Sequence, residues 1–356
     1  MAATRETIRL HKELQFVIDD SVAGWIRQLT AAWVRSWRIV EKEWIDVTNQ
    51  LAIESANGAT PSRRTVRRLK NVRRALNTTQ RMLEELTTLS GGTLVGGVPG
   101  IVTETARMQS RLIASALPRG SAPRLLVESR DSLPNRQLDR IVRRTAQQIT
   151  SSLRPLTAEA TEAVMDQLII GAARGQNPRA IASQMLKQVN GAFNGGLSRA
   201  LNVARTEALD AHRDAARTMQ NRNGDVLEGW QWLATLGDRT CPACWSLHGS
   251  KHPLTERGPD GHQQCRCSRA PLTKSWADLG LDIPEPPSLI RDGQQEFATL
   301  SRRQQLEIMG PTRLRALESG RATWDELAQL RHNDGWRDAY YARPLRTFQN
   351  RMGQTA

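Results

Sequence analysis

All four cysteines of this 356-residue chain lie within residues 241–267, and this clustering constrains the fold more than any other feature. Cys241 and Cys244 form a C-x2-C pair, and Cys265 and Cys267 form a C-x-C pair after 20 intervening residues. A tight turn across the first pair lets both thiolates face one ion at about 2.3 Å, as tetrahedral zinc requires. The surrounding segment is rich in Gly, Pro and His. We therefore predict a small metal knuckle that stabilises a loop-rich segment.

The knuckle has five candidate ligands for the four positions of a zinc site, because His262 stands three residues before Cys265. Either Cys267 or His262 is the expected bystander. His248 and His252 lie in the same loop and are weaker candidates. A closed four-ligand site is structural, since catalysis needs an open coordination position. The alternative is a set of reduced, partly buried thiols without metal. The predicted structural zinc ligands are drawn from Cys241, Cys244, His262, Cys265 and Cys267.

The N-terminal sequence and the hydropathy pattern argue for synthesis in the cytoplasm. The segment MAATRETIRLHKELQF is charged and lacks the apolar region of a signal peptide. No stretch approaches the roughly 18 apolar residues of a membrane span, so we expect no membrane partner. Cysteines stay reduced in the cytoplasm, which favours metal ligation over disulfides.

The charge of the chain points to nucleic acid as a partner. Fifty Lys and Arg residues stand against 36 Asp and Glu, a net charge of +14. Arginine suits phosphate because its planar guanidinium donates two parallel hydrogen bonds. The basic residues concentrate in a predicted helix from about 62 to 89, which we expect to contact DNA phosphates. The alternatives are a solvated helical surface or an acidic protein partner. The candidate DNA-binding residues are Arg63, Arg64, Arg67, Arg68, Lys70, Arg73 and Arg74.

Helical periodicity dominates the first 220 residues. Residues 5–54 predict one long helix with a tryptophan stripe, which is either a core face or a docking face for another protein. The segment SGGTLVGGVPG at 90–100 predicts a flexible hinge, because it contains five glycines and a proline. The further predicted helices are 101–117, 134–152, 156–174, 178–190 and 196–221. The stripe consists of Trp25, Trp33, Trp37 and Trp44.

The pattern changes at Gly229, where alternating Trp230 and Trp232 predict a short strand. The proline-rich segment 282–288 predicts a linker, and residues 292–348 predict short helices. The fold class is therefore mainly α, with an extended helical N-terminal region, then a small α+β module that holds the knuckle, then a short-helix tail. We expect four regions, which are 1–90 with the long helices, 91–190 after the hinge, 191–273 with the knuckle, and 274–356 with the linker and tail.

Three sequence elements resemble the Mu protein F-like family of phage minor head, or head morphogenesis, proteins. VARTEALDAHRDAA at 203–216, WQWLATLGDRTCPACWSLHG at 230–249 and GHQQCRC at 261–267 occur in the family's order. The segment LSRRQQLEIMGPTRLRALESGRATWDELAQL at 300–330 is similar to the tail of longer members. The chain departs from the family's pattern before His262, where Asp260 and Gly261 replace a common Pro-Pro pair. That departure puts the ligand role of His262 in question.

The resemblance implies a structural, non-enzymatic role in the virion head near the portal vertex. Members of the family assist head assembly and DNA packaging or exit. The implied partners are the portal protein, the major capsid or a scaffolding protein, and packaged double-stranded DNA. Within the matching motifs, Arg205 and Glu207 are expected to hold the knuckle from the preceding helix, and Asp238 and Arg239 to shape the turn that presents Cys241.

Two other functions stay open at this stage. The runner-up is a stand-alone zinc-containing nucleic-acid-binding protein, such as a regulator. The third is a metal-dependent nuclease, which would need His248, His252 or His262 as a base and an acid such as Asp260 near a second metal. The sequence contains no H-E-x-x-H, P-loop, G-x-G-x-x-G or G-x-S-x-G motif.

Overall fold

The computed structural model describes residues 3–56, 69–118, 120, 133–153, 178–333 and 337–353. Four long helices supply most of the described chain, which confirms the mainly α fold class. Among the described residues, no helix combines the length and apolar character that a membrane crossing requires. The long helices are α1 (Arg5–Ala56), α2 (Lys70–Ser115), α3 (Asn135–Leu153) and α4 (Pro178–Arg222).

The predicted glycine-rich hinge is wrong, because residues 90–100 lie inside α2. Apolar positions continue through the segment at helical spacing, with Leu94, Val98 and Ile101 buried. Gly97 fits beside Trp25, where a Cβ would come within 2.7 Å of the indole Nε1 and closer still to two ring carbons. The packing of this apolar stripe outweighs the low helix propensity of glycine.

The remaining helix predictions divide into confirmed, corrected and untested ones. Helix 5–54 and helix 134–152 are confirmed by α1 and α3. The predicted break between 190 and 196 is wrong, because α4 is continuous from Pro178 to Arg222. The buried residues Phe193 and Ala200 continue the inward face across the predicted break. The predicted helix 156–174 and residues 62–68 of the predicted basic helix lie outside the described residues.

The chain divides into two compact units. The first comprises residues 1–18, 100–141 and 209–356, and the second comprises residues 19–99 and 142–208. The four regions expected from the sequence follow other boundaries and stay a prediction.

The tryptophan stripe of α1 packs inside the second unit. Trp33 and Trp44 are buried, and Trp33 donates from Nε1 to the carbonyl of Phe193 at 2.9 Å. Trp44 donates to the hydroxyl of Thr79 at 3.0 Å. Trp37 stacks obliquely on Phe193 with ring centroids 5.3 Å apart. The stripe is therefore a core face, and each buried indole N–H has the partner that burial demands.

The first unit contains a three-stranded antiparallel sheet of order β2-β1-β3. The predicted strand is confirmed as the central strand β1, whose residues Trp230 and Trp232 are both fully buried. Gly229 allows β2 to approach closely, because a Cβ there would overlap the carbonyl of His252. The strands are β1 (Leu227–Leu233), β2 (Lys251–Pro253) and β3 (Ser268–Thr273), and the short helix α5 (Pro242–Leu247) lies between β1 and β2 in the sequence.

The tail surrounds one tryptophan of the knuckle. Trp245 is buried in a cluster with residues of the tail, among them Phe297, Met309 and Phe348. The prediction of short helices is correct for much of the tail, but it missed the antiparallel hairpin β4–β5. The tail elements are α6 (Gly293–Ala298), α7 (Arg302–Glu318), a 3-10 turn (Asp325–Leu327), β4 (Ala328–Arg331), β5 (Ala339–Ala342) and α8 (Leu345–Gly353).

Candidate metal centre

The first cysteine pair is positioned by a short helix, α5 (Pro242–Leu247). Cys241 is the N-cap residue, and its Sγ accepts a hydrogen bond from the backbone N–H of Cys244 at 3.4 Å. Pro242 at the first helical position has the backbone φ that a helix start requires and needs no hydrogen-bond partner for a missing N–H. This capping geometry brings the two thiols to the same end of α5.

The second group is positioned by a turn between β2 and β3. The N–H of Cys265 donates to the carbonyl of His262 at 3.0 Å, which closes a four-residue turn. Gln264 adopts a positive φ of 61° in this turn. Gly261 faces Cys265 so closely that a Cβ would overlap the Sγ. The turn therefore places His262 and Cys265 side by side, and only glycine fits at position 261.

The five predicted ligands converge. They form two triads that share Cys244, and within each triad the ligand atoms lie within 4.8 Å of one another. The Sγ of Cys241 is 3.2 Å from Nε2 of His262, and the Sγ of Cys244 is 3.8 Å from the same nitrogen and 3.6 Å from the Sγ of Cys265. These separations are close to the edge of about 3.8 Å that 2.3 Å metal–sulfur bonds give a tetrahedron. The triads are Cys241–Cys244–His262 and Cys244–Cys265–Cys267.

The electrostatics of the cluster suit a soft divalent cation. Hydrogen bonding from Cys244 lowers the pKa of the Cys241 thiol to about 5 and also lowers the pKa of the Cys265 thiol. Hydrogen bonding with Cys241 raises the pKa of the Cys244 thiol well above its usual value, so the clustered thiols do not all ionise by themselves. A bound cation would stabilise the further thiolates, which are the form that binds metal. All four cysteines are free, and Cys244, Cys265 and Cys267 are buried. Thiolate with imidazole is the donor set of structural zinc sites.

The orientation of His262 is compatible with ligation through Nε2. Its Nδ1 lies 2.7 Å from the carbonyl of Gln263, so Nδ1–H donates and Nε2 is left towards the two thiols of the first triad. A backbone carbonyl commonly fixes a metal-binding imidazole in this way. The glycine and aspartate that stand before His262 thus do not remove it from the cluster.

A buried arginine from α4 holds the C-x-C backbone. Arg213 donates from Nε to the carbonyl of Cys267 at 3.0 Å and from Nη2 to the carbonyl of Cys265. Its third contact is the carboxylate of Asp210 at 2.8 Å, which also pairs with Arg337. Sequence reasoning missed Asp210 and Arg213, although both lie in the motif VARTEALDAHRDAA. Their spacing of three places an acid and a base on one helix face, which was the available signal.

The loop histidines that a nuclease would use are committed to other contacts. Nδ1 of His248 accepts the backbone N–H of Ala234 at 3.0 Å, and burial lowers the pKa of His248 to about 4. His252 stacks on Trp230 with ring centroids 4.2 Å apart, and its Nδ1 is 2.8 Å from Glu256. Among the described residues, neither histidine belongs to a cluster that could hold a metal.

The four other motif residues predicted from the sequence do not belong to the ligand group. Arg205 is exposed and Glu207 is buried on α4, and their expected role in holding the knuckle stays a prediction. Asp238 and Arg239 are exposed in the turn before Cys241. That turn is closed by the N–H of Thr240, which donates to the carbonyl of Gly237 at 2.9 Å. Arg239 also lines a cavity of about 50 Å³ beside the cluster.

The predicted DNA-binding helix is described only in part. Arg63, Arg64, Arg67 and Arg68 lie outside the described residues. Lys70, Arg73 and Arg74 are exposed at the start of α2. Arg74 pairs with Glu43 at 2.5 Å and Asp46 at 3.4 Å, both on α1. The basic segment therefore has acidic neighbours that its own sequence does not contain, and DNA contact stays a prediction.

Part of the chain matches a known protein family. Residues 162–270 match the family described as Phage Mu protein F like protein. No curated protein and no solved structure matches the chain. The match starts before the expected module boundary at 191 and ends before the tail, so the resemblance of residues 300–330 stays a prediction. The five clustered ligands all lie inside the matched segment, and the resemblance predicted from the sequence is thus confirmed: residues 162–270 carry a Phage Mu protein F-like segment.

Proposed function

We propose that the chain is a structural minor head protein of a tailed phage that associates with the portal vertex. In this role it assists head assembly and the packaging or exit of DNA, and it performs no catalysis. The observation that carries the proposal is the family match over residues 162–270. The expected partners are the portal protein, the major capsid or a scaffolding protein, and packaged DNA. Its location is the virion head near the portal, after assembly in the host cytoplasm.

The knuckle acts as a structural zinc site in this proposal. We take as ligands the four residues whose donor atoms are connected by separations of 3.2–3.8 Å. His262 Nε2 is close to the Sγ atoms of Cys241 and Cys244, and the Sγ of Cys244 is close to that of Cys265. Cys267 is the proposed bystander. Bound zinc supplies a cross-link between α5 and the turn before β3, and it contributes on the order of 10 kcal/mol to folding of the segment.

The decisive experiment is co-purification with the portal protein encoded in the same genome. The full chain and the portal protein are expressed together and purified at low and moderate salt, with nuclease added. Association that survives both treatments supports a place at the portal vertex. Strong retention of DNA without portal association would instead favour the stand-alone nucleic-acid-binding protein.

A second experiment tests the zinc site alone. Chelation of the purified protein should open residues 229–273 to proteolysis, because the segment loses its cross-link. Unchanged cleavage after chelation, with metal content measured before and after, contradicts a structural metal. His252 provides the control, since it pairs with Glu256 outside the ligand group and His252→Gln should leave the zinc content unchanged.

A further inference from the structure

The tail hairpin β4–β5 lies against the loop that carries His262, although the hairpin is outside the segment that matches the family. The N–H of Tyr340 donates to the carbonyl of Asp260 at 2.8 Å. Tyr340 also forms a parallel bridge with Gly261, the residue before His262. The backbone of β5 thus fixes the start of the ligand-bearing turn.

The side chains of β5 continue this contact. Tyr340 packs against the cluster that contains the cysteines, and it meets Trp232 edge to face with centroids 5.7 Å apart. Tyr341 lies with its ring centroid 5.9 Å from that of His262. Two adjacent aromatic residues therefore border the ligand group on the side of the tail.

An ionic chain provides the second connection. Arg337, just before β5, donates from Nε and Nη2 to the two carboxylate oxygens of Asp210 at 3.0 and 2.7 Å. Asp210 binds Arg213, and Arg213 donates to the carbonyls of Cys265 and Cys267. Arg337 and Asp210 are only 11% and 7% exposed, so the pair is shielded from screening by solvent.

This buried charge group is stable only when complete. Burial by itself would raise the pKa of Asp210, but Arg213 and Arg337 outweigh it and hold that pKa below its usual value. Removal of Arg337 would leave the buried Asp210 paired with Arg213 alone. Loss of one partner of a buried charge group is costly because the others stay desolvated.

We propose that Arg337 and Tyr340 are positioning residues of the metal centre, through which the tail hairpin sets how firmly the ion is retained. The inference rests on the proposed zinc site. Arg337 acts on the C-x-C backbone through Asp210 and Arg213, and it also lies 3.8 Å from the carboxylate of Asp260 beside the His262 turn. The Tyr340 ring acts by packing on the cysteine cluster and Trp232, which holds β5 where its backbone bonds to Asp260 and Gly261 form. Together the two residues support the ligand-bearing turn from the side of the tail.

The test measures zinc release from the full-length protein into a chromogenic chelator. Arg337→Gln and Tyr340→Ala should each release zinc 10- to 100-fold faster, because losing an outer-shell partner typically lowers metal affinity by this factor and affinity changes act mostly on dissociation. Tyr340→Phe should release zinc at the wild-type rate, because it keeps the ring that packs on Trp232 and that Tyr340→Ala removes, whereas both variants keep the backbone bond to Asp260. Arg337→Lys should be intermediate, since it keeps the charge and loses the two-pronged contact.

The matched control is Arg351→Gln. Arg351 also forms a bidentate pair within the tail, with both bonds to Glu326 at 2.7 Å, although this pair is about a third exposed. The control should unfold at a lower temperature without faster zinc release. Absorption of the cobalt-substituted variants gives a readout that general loosening would not change, because the bands report how many thiolates and imidazoles bind the ion.

The outcomes separate this inference from the zinc site itself. Wild-type protein that binds neither zinc nor cobalt refutes both. Wild-type protein that retains zinc, with unchanged release from Arg337→Gln and Tyr340→Ala, refutes only the positioning role. If Arg337→Gln fails to fold, the comparison of Tyr340→Ala with Tyr340→Phe and of Arg337→Lys with wild type decides the question.

Discussion

Two adjacent glycines in α2 should respond differently to alanine, with stabilisation at Gly96 and none at Gly97. Gly96 is exposed, and a Cβ there meets no atom within 4 Å. Gly97 faces Trp25, where a Cβ would lie 2.7 Å from Nε1 and closer to Cε2 and Cζ2. Normal carbon contacts are about 3.5–4.0 Å, so the indole must move by roughly 1.5 Å.

The magnitudes follow from these contacts. Gly96→Ala should raise the free energy of unfolding by about 1 kcal/mol, the helix propensity difference between the two residues. Gly97→Ala gains the same amount but forces an overlap that costs about 1–3 kcal/mol, so its net effect is zero to destabilising. We therefore expect the two variants to differ by about 1–3 kcal/mol.

Urea unfolding followed by far-ultraviolet circular dichroism measures this difference, with Gly92→Ala as a second exposed control. Limited proteolysis provides an independent check, since a helical segment 90–100 resists cleavage that a flexible linker would not. Equal stabilisation by Gly96→Ala and Gly97→Ala would refute the packing of Gly97 on Trp25. Ready cleavage within 90–100 in the wild type would refute the continuous helix.

Three further predictions concern the ligands, pH and DNA. Cys265→Ser should abolish stoichiometric zinc binding while Cys267→Ser retains it; loss in both variants, measured by atomic absorption, would make Cys267 a ligand. Burial lowers the pKa of His11 to about 4 and of His212 to about 3, from 6.5. Both histidines are neutral in the folded protein and charged in the unfolded chain below pH 6.5. The free energy of unfolding should therefore fall as the pH drops from 6.5 to 4, by about 1.4 kcal/mol per pH unit for each histidine. Urea titrations in which His212→Gln does not flatten this decline would contradict the prediction. If the six basic residues other than Arg74 each meet a phosphate, the logarithm of the DNA binding constant should fall with the logarithm of salt with a slope of about −5. Fluorescence anisotropy should give a slope about 1 unit less steep for Arg73→Gln, and an unchanged slope for Arg74→Gln because Arg74 pairs with Glu43 and Asp46. A wild-type slope shallower than −2 would show that this helix does not bind DNA.

The ligand cluster was accessible to sequence reasoning because its chemistry is local. The C-x2-C spacing predicts the capped turn, and His262, Cys265 and Cys267 lie within six residues of one another. What joins the two halves is the antiparallel pairing of β1 with β2 and β3, and the alternation of Trp230 and Trp232 predicted the central strand. The resemblance to the family, whose motifs occur in the same order, also implied that the two halves meet.

The supporting contacts were not accessible, because they join residues far apart in the sequence. Arg337 and Asp210 are separated by 127 positions, and nothing in either local pattern names the other. The glycine-rich part of α2 was misread for a related reason. Local composition favours a linker, whereas the packing of Gly97 against Trp25 of α1 favours a continuous helix. Tertiary contacts determine both the support of the ligand group and the helical structure of residues 90–100.

The contact between Arg337 and Asp210 also has a consequence for the order of folding on the ribosome. The cysteine segment emerges well before β5, so for a time the nascent chain holds all the proposed metal ligands without the hairpin that borders them. During that interval the turn from His262 to Cys267 lacks the ionic chain and the Tyr340 contact. Residues 337–342 therefore complete a site whose proposed ligands were synthesised earlier, and we expect stable retention of the proposed zinc to be a late event of biosynthesis.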